Sequence, residues 1–208
     1  MELQFKHQKF QADAAKAVVD VFAGQPHLTS NYMIDMGKGI VQQQIFEKDS
    51  TGWSNAKIVP GLDSDKILDN IKNVQRTNQL ELSDNLEGRY NLTIEMETGV
   101  GKTYTYIKTM YELNRAYGWT KFIVVVPSIA IREGVYKTFQ VTQDHFAEEY
   151  GKKIRFFIYN SSHLSEIDRF ASDSSINVMI INSQAFNAKG NDARRITTKL
   201  DEFRSRTP

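Results

Sequence analysis

The sequence predicts an α/β fold in which a mostly parallel sheet is flanked by helices. In residues 91–208, short apolar runs alternate with longer segments of helical periodicity, which is the pattern of consecutive βαβ units. One run, Lys121–Val126, is rich in β-branched residues and almost continuously apolar, as is typical of a parallel strand buried on both faces. A glycine-rich turn joins an earlier apolar run to the helix that follows it.

The residues before this region are predicted to form an N-terminal extension of α+β character. In Phe10–Phe22, apolar residues recur every three or four positions, and Gly24 ends the pattern, so we expect a helix. A short strand is expected over Asn31–Ile34, and a more polar helix over Asp63–Leu80. The change in texture predicts three parts, namely an N-terminal helix over residues 1–24, an insertion or extension over 25–90 and a larger α/β part over 91–208.

The larger part is predicted to alternate strictly between strands and helices. The predicted strands are Asn91–Met96, Lys121–Val126, Ile154–Tyr159 and Asn177–Ile181, and the predicted helices are Thr103–Tyr117, Ile131–Tyr150 and Leu164–Phe170. In the first of these helices, four residues at helical spacing are expected to face the core, namely Ile107, Met110, Leu113 and Tyr117. Gly118 is expected to end that helix.

Composition excludes several classes of protein and names no partner. A hydrophobic content of 40% over 208 residues is enough for a packed core, which excludes global disorder. Without cysteine there are no disulfides, no thiol nucleophile and no cysteine-type zinc site. No apolar run is long enough to cross a bilayer and no signal peptide is evident, so a soluble cytoplasmic protein is expected. The net charge of +1 is too small to indicate nucleic acid by itself.

The most informative segment is Met96–Thr103. Its second half matches the phosphate-binding pattern Gly-x4-Gly-Lys-Ser/Thr, although Met96 stands where the first glycine is expected. Gly99 and Gly101 allow the backbone to approach a phosphate closely, and the following helix presents its positive end. Lys102 is expected to reach the β- and γ-phosphates, and the Thr103 hydroxyl is expected to bind Mg²⁺. A plain glycine turn is the alternative, whereas Tyr104 in place of a third glycine makes a dinucleotide site a poor fit.

Two segments together resemble one family. Glu97–Thr103 and Val124–Val135 are similar to the restriction (Res) subunit of type III restriction-modification enzymes, which are superfamily 2 helicase-like DNA translocases. Phe10–Phe22 and Ile181–Asn187 also fit that family, so the resemblance covers most of the chain. It implies an RecA-like P-loop NTPase lobe, an ATP and Mg²⁺ requirement, double-stranded DNA as substrate and a modification methyltransferase (Mod) subunit as partner.

The resemblance also assigns roles to individual residues. Gln11 occupies the place of an adenine-reading glutamine, a role suited to its amide, while a polar helix-start residue is the alternative. The phosphate loop is expected to bind ATP through Thr98, Gly99, Val100, Gly101, Lys102 and Thr103, with Lys102 as the catalytic residue and Thr103 as the metal ligand.

DNA-backbone contacts are implied at the ends of two predicted strands. After the first of these strands the resemblance assigns Pro127, Ser128 and Arg132, and after the second it assigns Asn182 and Ser183. Helix capping by Ser128 with a solvated Arg132 is the alternative for the first group, and a polar turn is the alternative for the second.

Phosphoryl transfer also needs a carboxylate on a neighbouring strand. The pair Asp201-Glu202 follows a polar, helix-like stretch, and Asp35 lies upstream of the loop, so neither fits well. We therefore expect part of a first RecA-like lobe, with the Asp-Glu box, second lobe and nuclease lying beyond Pro208, and little activity from the piece alone. A small-molecule kinase and a non-catalytic nucleotide or DNA binder remain as alternatives.

Overall fold

The computed structural model describes residues 5–29, 31–33, 52–88, 90–160 and 165–184. The elements follow one another as α1 Lys9–Val21, β1 Asn31–Met33, β2 Gly52–Ser54, α2 Ser64–Thr77, α3 Lys102–Tyr117, β3 Lys121–Val126, α4 Ile129–Tyr150, β4 Arg155–Ile158, α5 Ser165–Ser172 and β5 Asn177–Asn182. The chain divides into two compact units, of which unit 1 comprises Met1–Thr29, Ala56–Trp119 and Glu148–Tyr150, and unit 2 comprises Ser30–Asn55, Thr120–Ala147 and Gly151–Pro208. The boundaries predicted at residues 24 and 90 stay predictions.

Unit 1 is built around α3, against which α1 packs. The Tyr117 hydroxyl at the end of α3 donates to the carbonyl oxygen of Val19 on α1 at 2.8 Å. The buried amide of Asn70 on α2 donates to the carbonyl oxygens of Val21, the last residue of α1, and Ala23, at 3.0 Å each. The four residues of α3 that were predicted to face the core are all buried, which confirms the helical periodicity, namely Ile107, Met110, Leu113 and Tyr117.

The end of α3 is fixed by a glycine. Gly118 adopts a left-handed conformation with φ of +76° and donates its N–H to Asn114 at 2.9 Å. A Cβ at Gly118 would overlap the backbone carbonyl of Leu28, so this position accepts only glycine. Trp119 follows and packs edge-on against Phe22, with ring centroids 5.1 Å apart.

Unit 2 contains a parallel sheet with the strand order β3-β5-β4. All six residues of the central strand β5 are buried. Phe156 and Phe157 are consecutive on β4 and therefore point to opposite faces. Phe139 of α4 stacks on Phe156 at 5.1 Å, and Phe170 of α5 meets Phe157 at 6.0 Å. Helices thus cover both faces, which confirms the predicted α/β class.

Two predictions about strands are wrong. Asn91–Met96 forms no strand, and the side chains of Leu92 and Ile94 are exposed, because nothing in the described ranges pairs with this segment. Strand β3 has the predicted bounds but lies at the sheet edge among the described strands. Ile123 and Val125, which share one face of β3, are 44% and 53% exposed, so β3 is not buried on both faces. The central strand β5 has that environment instead.

Among the described strands of unit 2, β1 and β2 also form a short antiparallel pair, in which Asn31 pairs with Ser54. Directly after β2, the Asn55 side chain accepts hydrogen bonds from the backbone of Thr120 and Lys121, at 2.7 and 2.8 Å, and so fixes the start of β3. Within the described ranges, no helix has the length and apolar character needed to cross a membrane.

Candidate nucleotide-binding loop and nucleic-acid edge

The glycine-rich loop before α3 turns twice through the left-handed region. Gly99 and Gly101 have φ values of +83° and +84°, which side chains rarely adopt. A Cβ at Gly99 would meet no atom within 4 Å, so open space lies on that side of the loop. The loop therefore has room for a ligand that approaches its backbone closely.

The first turn of α3 has the properties of an anion site. The helix begins at Lys102, and its N-cap, Gly101, provides no side-chain hydrogen bond. The first intrahelical bond runs from the Thr105 N–H to the Gly101 carbonyl at 3.0 Å, so the N–H groups before it need another partner. Lys102 is exposed and makes no hydrogen bond or ion pair within the described ranges, and Thr103 is half-buried. These groups fit a phosphate with a bound divalent cation.

Gln11 lies against this loop. It is buried on α1, and its Nε2 donates to the Val100 carbonyl at 2.8 Å. The same nitrogen lies 2.7 Å from the position that a Cβ on Gly101 would occupy. No local pattern indicates this contact, because 89 positions separate the two partners. One N–H of the amide is committed to the loop, and an adenine contact through its other atoms stays a prediction.

Tyr104, in the first turn of α3, is a second residue whose role the sequence did not reveal. It is buried where a dinucleotide site would need glycine, and its ring stacks on Phe5 at a centroid distance of 6.0 Å. Burial raises the pKa of Tyr104 to about 12, and the negative charge of Glu149 adds to the effect. Tyr104 is therefore a bulky, neutral side chain that packs in the first turn of α3, directly after the loop.

The predicted DNA-contacting residues of unit 2 lie at the carboxyl ends of the strands β3 and β5. Val126, the last residue of β3, pairs with Asn182, the last residue of β5. Pro127 and Ser128 follow β3 and Ser183 follows β5, so the two segments start side by side. The carboxyl edge of a parallel sheet is where α/β proteins place ligands. The Asn182 side chain is buried, and its Nδ2 lies 3.5 Å from Gln184 Oε1. The two segments predicted to contact DNA are thus brought together.

Two side chains of this edge already have partners on α4. Ser128 is the N-cap of the helix, and its Oγ accepts from the Ile131 N–H at 3.3 Å, which confirms the capping alternative. Arg132 is not freely solvated, since its side chain is only 20% exposed. Its guanidinium donates to Glu133 Oε1 at 2.9 and 3.3 Å. Contacts from Ser128 and Arg132 to DNA stay predictions.

Comparison with known proteins gives one consistent result. The family described as "Type III restriction enzyme, res subunit" matches residues 63–204, which is more than half of the chain. The chain belongs to this family. Three curated Res subunits are similar to it: that of the type III restriction-modification enzyme EcoP15I from Escherichia coli, at 32% identity over 91% of this chain, that of EcoPI from Escherichia phage P1, at 38% over 44%, and that of StyLTI from Salmonella typhimurium, at 41% over 33%.

Membership of the Res family confirms the predicted resemblance and places the α/β part in a RecA-like helicase fold. The chain spans 19% of the length of the EcoP15I Res subunit, and 10% and 7% of the other two relatives. The comparisons therefore concern a segment that is much shorter than those proteins.

Among the residues that the structure describes, no magnesium-binding carboxylate is identified. Asp35 and the pair Asp201-Glu202, which were judged poor candidates from the sequence, lie outside the described residues. Within the described ranges, no group of three or more acidic or histidine residues is arranged to hold a metal ion. Thr103 is therefore the metal-ligand candidate that the described loop offers.

Proposed function

We propose that this chain is the ATP-binding N-terminal part of a Res subunit, whose full polypeptide moves along DNA at the expense of ATP. The observation that carries the proposal is the double left-handed turn at Gly99 and Gly101, which leads directly into the uncapped helix α3 and the exposed Lys102. Family membership supports a helicase-like motor as its context.

In this proposal each group of the loop has a separate task. Backbone N–H groups of Thr98–Gly101 and of the first turn of α3 bind the phosphates, because the helix end adds positive potential. Lys102 neutralises the developing charge on the β- and γ-phosphates, and Thr103 binds Mg²⁺. Gln11 holds Val100 with one amide N–H and contacts adenine with its remaining amide atoms. Mg²⁺·ATP, when bound, would supply the β–γ phosphoanhydride bond whose hydrolysis drives movement.

The carboxyl edge of the sheet is proposed to contact the DNA backbone. Support comes from the shared register position of Val126 and Asn182, which places two polar segments side by side. Pro127, Ser128, Arg132, Asn182 and Ser183 are the proposed contacts, and hydroxyl, amide and guanidinium groups are the types that bind phosphates. Double-stranded DNA and a Mod methyltransferase subunit are the proposed partners. The carboxylate for hydrolysis and the nuclease are proposed to lie elsewhere in the full Res polypeptide.

The test uses Lys102→Ala in the full Res polypeptide assembled with its Mod partner. We expect DNA-dependent ATP hydrolysis to fall by about a hundredfold or more, because the main cationic contact to the transferred phosphoryl group is lost. Lys66→Ala is the matched control, since Lys66 is an exposed lysine on α2 of the same unit. Unchanged DNA-dependent hydrolysis in Lys102→Ala would show that the phosphate loop does not take part in ATP hydrolysis. Stimulation of the unmodified protein by a small phosphate acceptor instead of DNA would favour the kinase alternative.

A further inference from the structure

The side chain of Tyr106 on α3 ends in a buried hydroxyl group to which the described part of the chain offers no hydrogen-bond partner. Such a group costs free energy, because the hydrogen bonds that it makes to water in the unfolded chain are not replaced. Tyr117, on the same helix, shows the ordinary arrangement, since its hydroxyl donates to the Val19 carbonyl at 2.8 Å. The hydroxyl of Tyr106 therefore does not stabilise unit 1, and a role in ligand binding accounts for it better.

Tyr106 lies one helical turn after Thr103, the proposed metal ligand of the phosphate loop. The two residues lie on the same face of α3, because they are three positions apart. Side chains in a helix lean toward its N-terminus, so a long side chain at position 106 extends back over the turn that contains Thr103. Both residues belong to unit 1, as does the loop that precedes them.

The hydroxyl groups of Thr103 and Tyr106 are neighbours. Burial raises the pKa of Tyr106, and the Thr103 hydroxyl partly offsets this effect. A donor that points at the phenol oxygen lowers a pKa in this way, since it stabilises the charged form. The contact falls short of a hydrogen bond in the described structure. Thr103 is thus the candidate donor that this turn of α3 offers to the phenol oxygen.

The chemistry of a metal-binding hydroxyl explains what such a contact would achieve. A threonine that binds Mg²⁺ directs its oxygen lone pairs at the metal, so its hydrogen needs an acceptor elsewhere. A phenol oxygen can accept that hydrogen. An acceptor in the surrounding shell orients the ligand before the metal arrives, and less rotational freedom is then lost on binding.

We infer that Tyr106 is a positioning residue for the Mg²⁺ of the nucleotide site, and that it accepts the hydrogen of Thr103 so that the Thr103 oxygen faces the metal. Tyr106 acts through Thr103 and itself contacts neither Mg²⁺ nor ATP. The inference rests on the proposed function of the phosphate loop. It assigns to this hydroxyl the gain in nucleotide affinity that Mg²⁺ provides, and not the affinity for the nucleotide itself.

The experiment measures the affinity of the full Res polypeptide, assembled with Mod, for a non-hydrolysable ATP analogue. Calorimetric titrations are made with saturating Mg²⁺ and with a chelator in place of the metal. Tyr106→Phe removes the hydroxyl and keeps the ring. Tyr117→Phe is the matched control, because it also removes a tyrosine hydroxyl from α3, at the end of the helix away from the loop.

We expect the gain in affinity from Mg²⁺ to fall by about tenfold in Tyr106→Phe, while the affinity without metal changes less than about twofold. Tyr117→Phe should keep the full gain. The melting temperature of Tyr106→Phe should not fall, because the deleted hydroxyl has no partner in the described fold. A lower melting temperature together with an unchanged gain from Mg²⁺ would show a structural role and overturn the inference.

A double-mutant cycle with Thr103→Val tests whether Tyr106 acts through Thr103. The loss caused by Tyr106→Phe should disappear when Thr103 is already replaced, since the two changes remove the same contact. Additive losses would overturn the inference, as would an equal loss of affinity with and without Mg²⁺ in Tyr106→Phe. Failure of the proposed function looks different, because then Lys102→Ala and Thr103→Val themselves leave binding of the analogue unchanged.

Discussion

The side-chain amide of Gln11 donates to the carbonyl oxygen of Val100 at 2.8 Å and thereby ties α1 to the phosphate loop. This contact uses one amide N–H, which leaves the second N–H and the Oε1 atom for a base. It links a residue near the start of the chain to the backbone that is proposed to surround the phosphates. The contact shows that Gln11 supports the loop, and the reading of adenine is the second role that we propose for it.

Gln11→Ala should separate these roles. If the amide contacts adenine, the affinity for ATP falls by about tenfold and the preference for ATP over GTP disappears. The affinities are measured by titration of the full Res polypeptide with each nucleotide. An equal loss for ATP and GTP would show that Gln11 only supports the loop.

Gln25→Ala is the control for that experiment. Gln25 is also a buried glutamine of unit 1 that binds backbone groups, with its amide 3.1 Å from the Lys57 carbonyl and 3.0 Å from the Val59 N–H. Its removal should lower stability by about 1 to 3 kcal/mol, since those groups lose their partner, without changing nucleotide preference.

Gly118→Ala should be strongly destabilising. The substitution combines a left-handed φ of +76° with overlap between the new Cβ and the Leu28 carbonyl, so the backbone must move. Gly151→Ala provides the matched control, because Gly151 ends α4 with a φ of +66° and has open space around its Cβ position.

We expect Gly151→Ala to cost about 1 kcal/mol of the free energy of unfolding, and Gly118→Ala roughly 3 kcal/mol or more. Both values are measured by urea unfolding. Equal losses for the two variants would mean that Leu28 does not approach Gly118 as closely as described.

Glu133 should moderate the affinity for DNA. It accepts two hydrogen bonds from Arg132, so part of the positive charge near the proposed DNA contact is neutralised. Glu133→Gln should therefore strengthen DNA binding by a few fold, whereas Arg132→Ala weakens it and reduces the salt dependence by about one phosphate contact.

Binding is measured by fluorescence anisotropy over a range of salt concentrations. Arg169→Ala is the control, because Arg169 is an exposed arginine on α5 that pairs with Glu166 at 3.6 Å. A salt dependence that is unchanged in Arg132→Ala would exclude a direct phosphate contact.

Lys121 should make stability depend on alkaline pH. Burial at the start of β3 lowers the pKa of Lys121 to about 8, although the nearby charge of Asp173 opposes this effect. In the unfolded chain the lysine keeps its proton up to about pH 10.5, so between these values the unfolded state binds more protons than the folded one. The loss of stability caused by burying the charged Lys121 is complete below pH 8 and disappears as the pH rises toward 10.5.

The free energy of unfolding should therefore rise from pH 8 to pH 10 relative to that of Lys121→Met, which lacks the titrating group. Urea titrations of both proteins at several pH values give this difference. A constant difference across the range would contradict the lowered pKa.

Local signals in the sequence predicted the helices well. The periodicity of α1 and α3 and the capping residues Gly118 and Ser128 act within a few positions, so they can be identified without knowledge of the fold. Strand environment depends on partners that lie far away in the chain. The apolar run of β3 predicts a strand in the interior of the sheet, but β5 is the strand that lies there. Asn91–Met96 has strand-like residues but no strand partner among the described residues.

The candidate site shows the same difference between local patterns, which can be read from the sequence, and contacts between distant residues, which cannot. The glycines of the loop and Lys102 form a local pattern that can be recognised directly in the sequence. The contact of Gln11 with Val100 and the effect of Glu149 on Tyr104 depend on helix packing, which has no local signature. The pairing of Arg132 with Glu133 joins adjacent residues, but its geometry depends on their side-chain rotamers.

The edge position of β3 has a practical consequence for anyone who purifies this chain. On the side away from β5, no described strand covers the edge of β3, and the side chains of Ile123 and Val125 on this strand are exposed. An apolar edge strand is a template for pairing with further molecules, so we expect concentrated samples to aggregate over time. Ile123→Lys places a charge on a side chain that is already exposed, and light scattering of stored samples should show that it prolongs the monodisperse lifetime at little cost in stability.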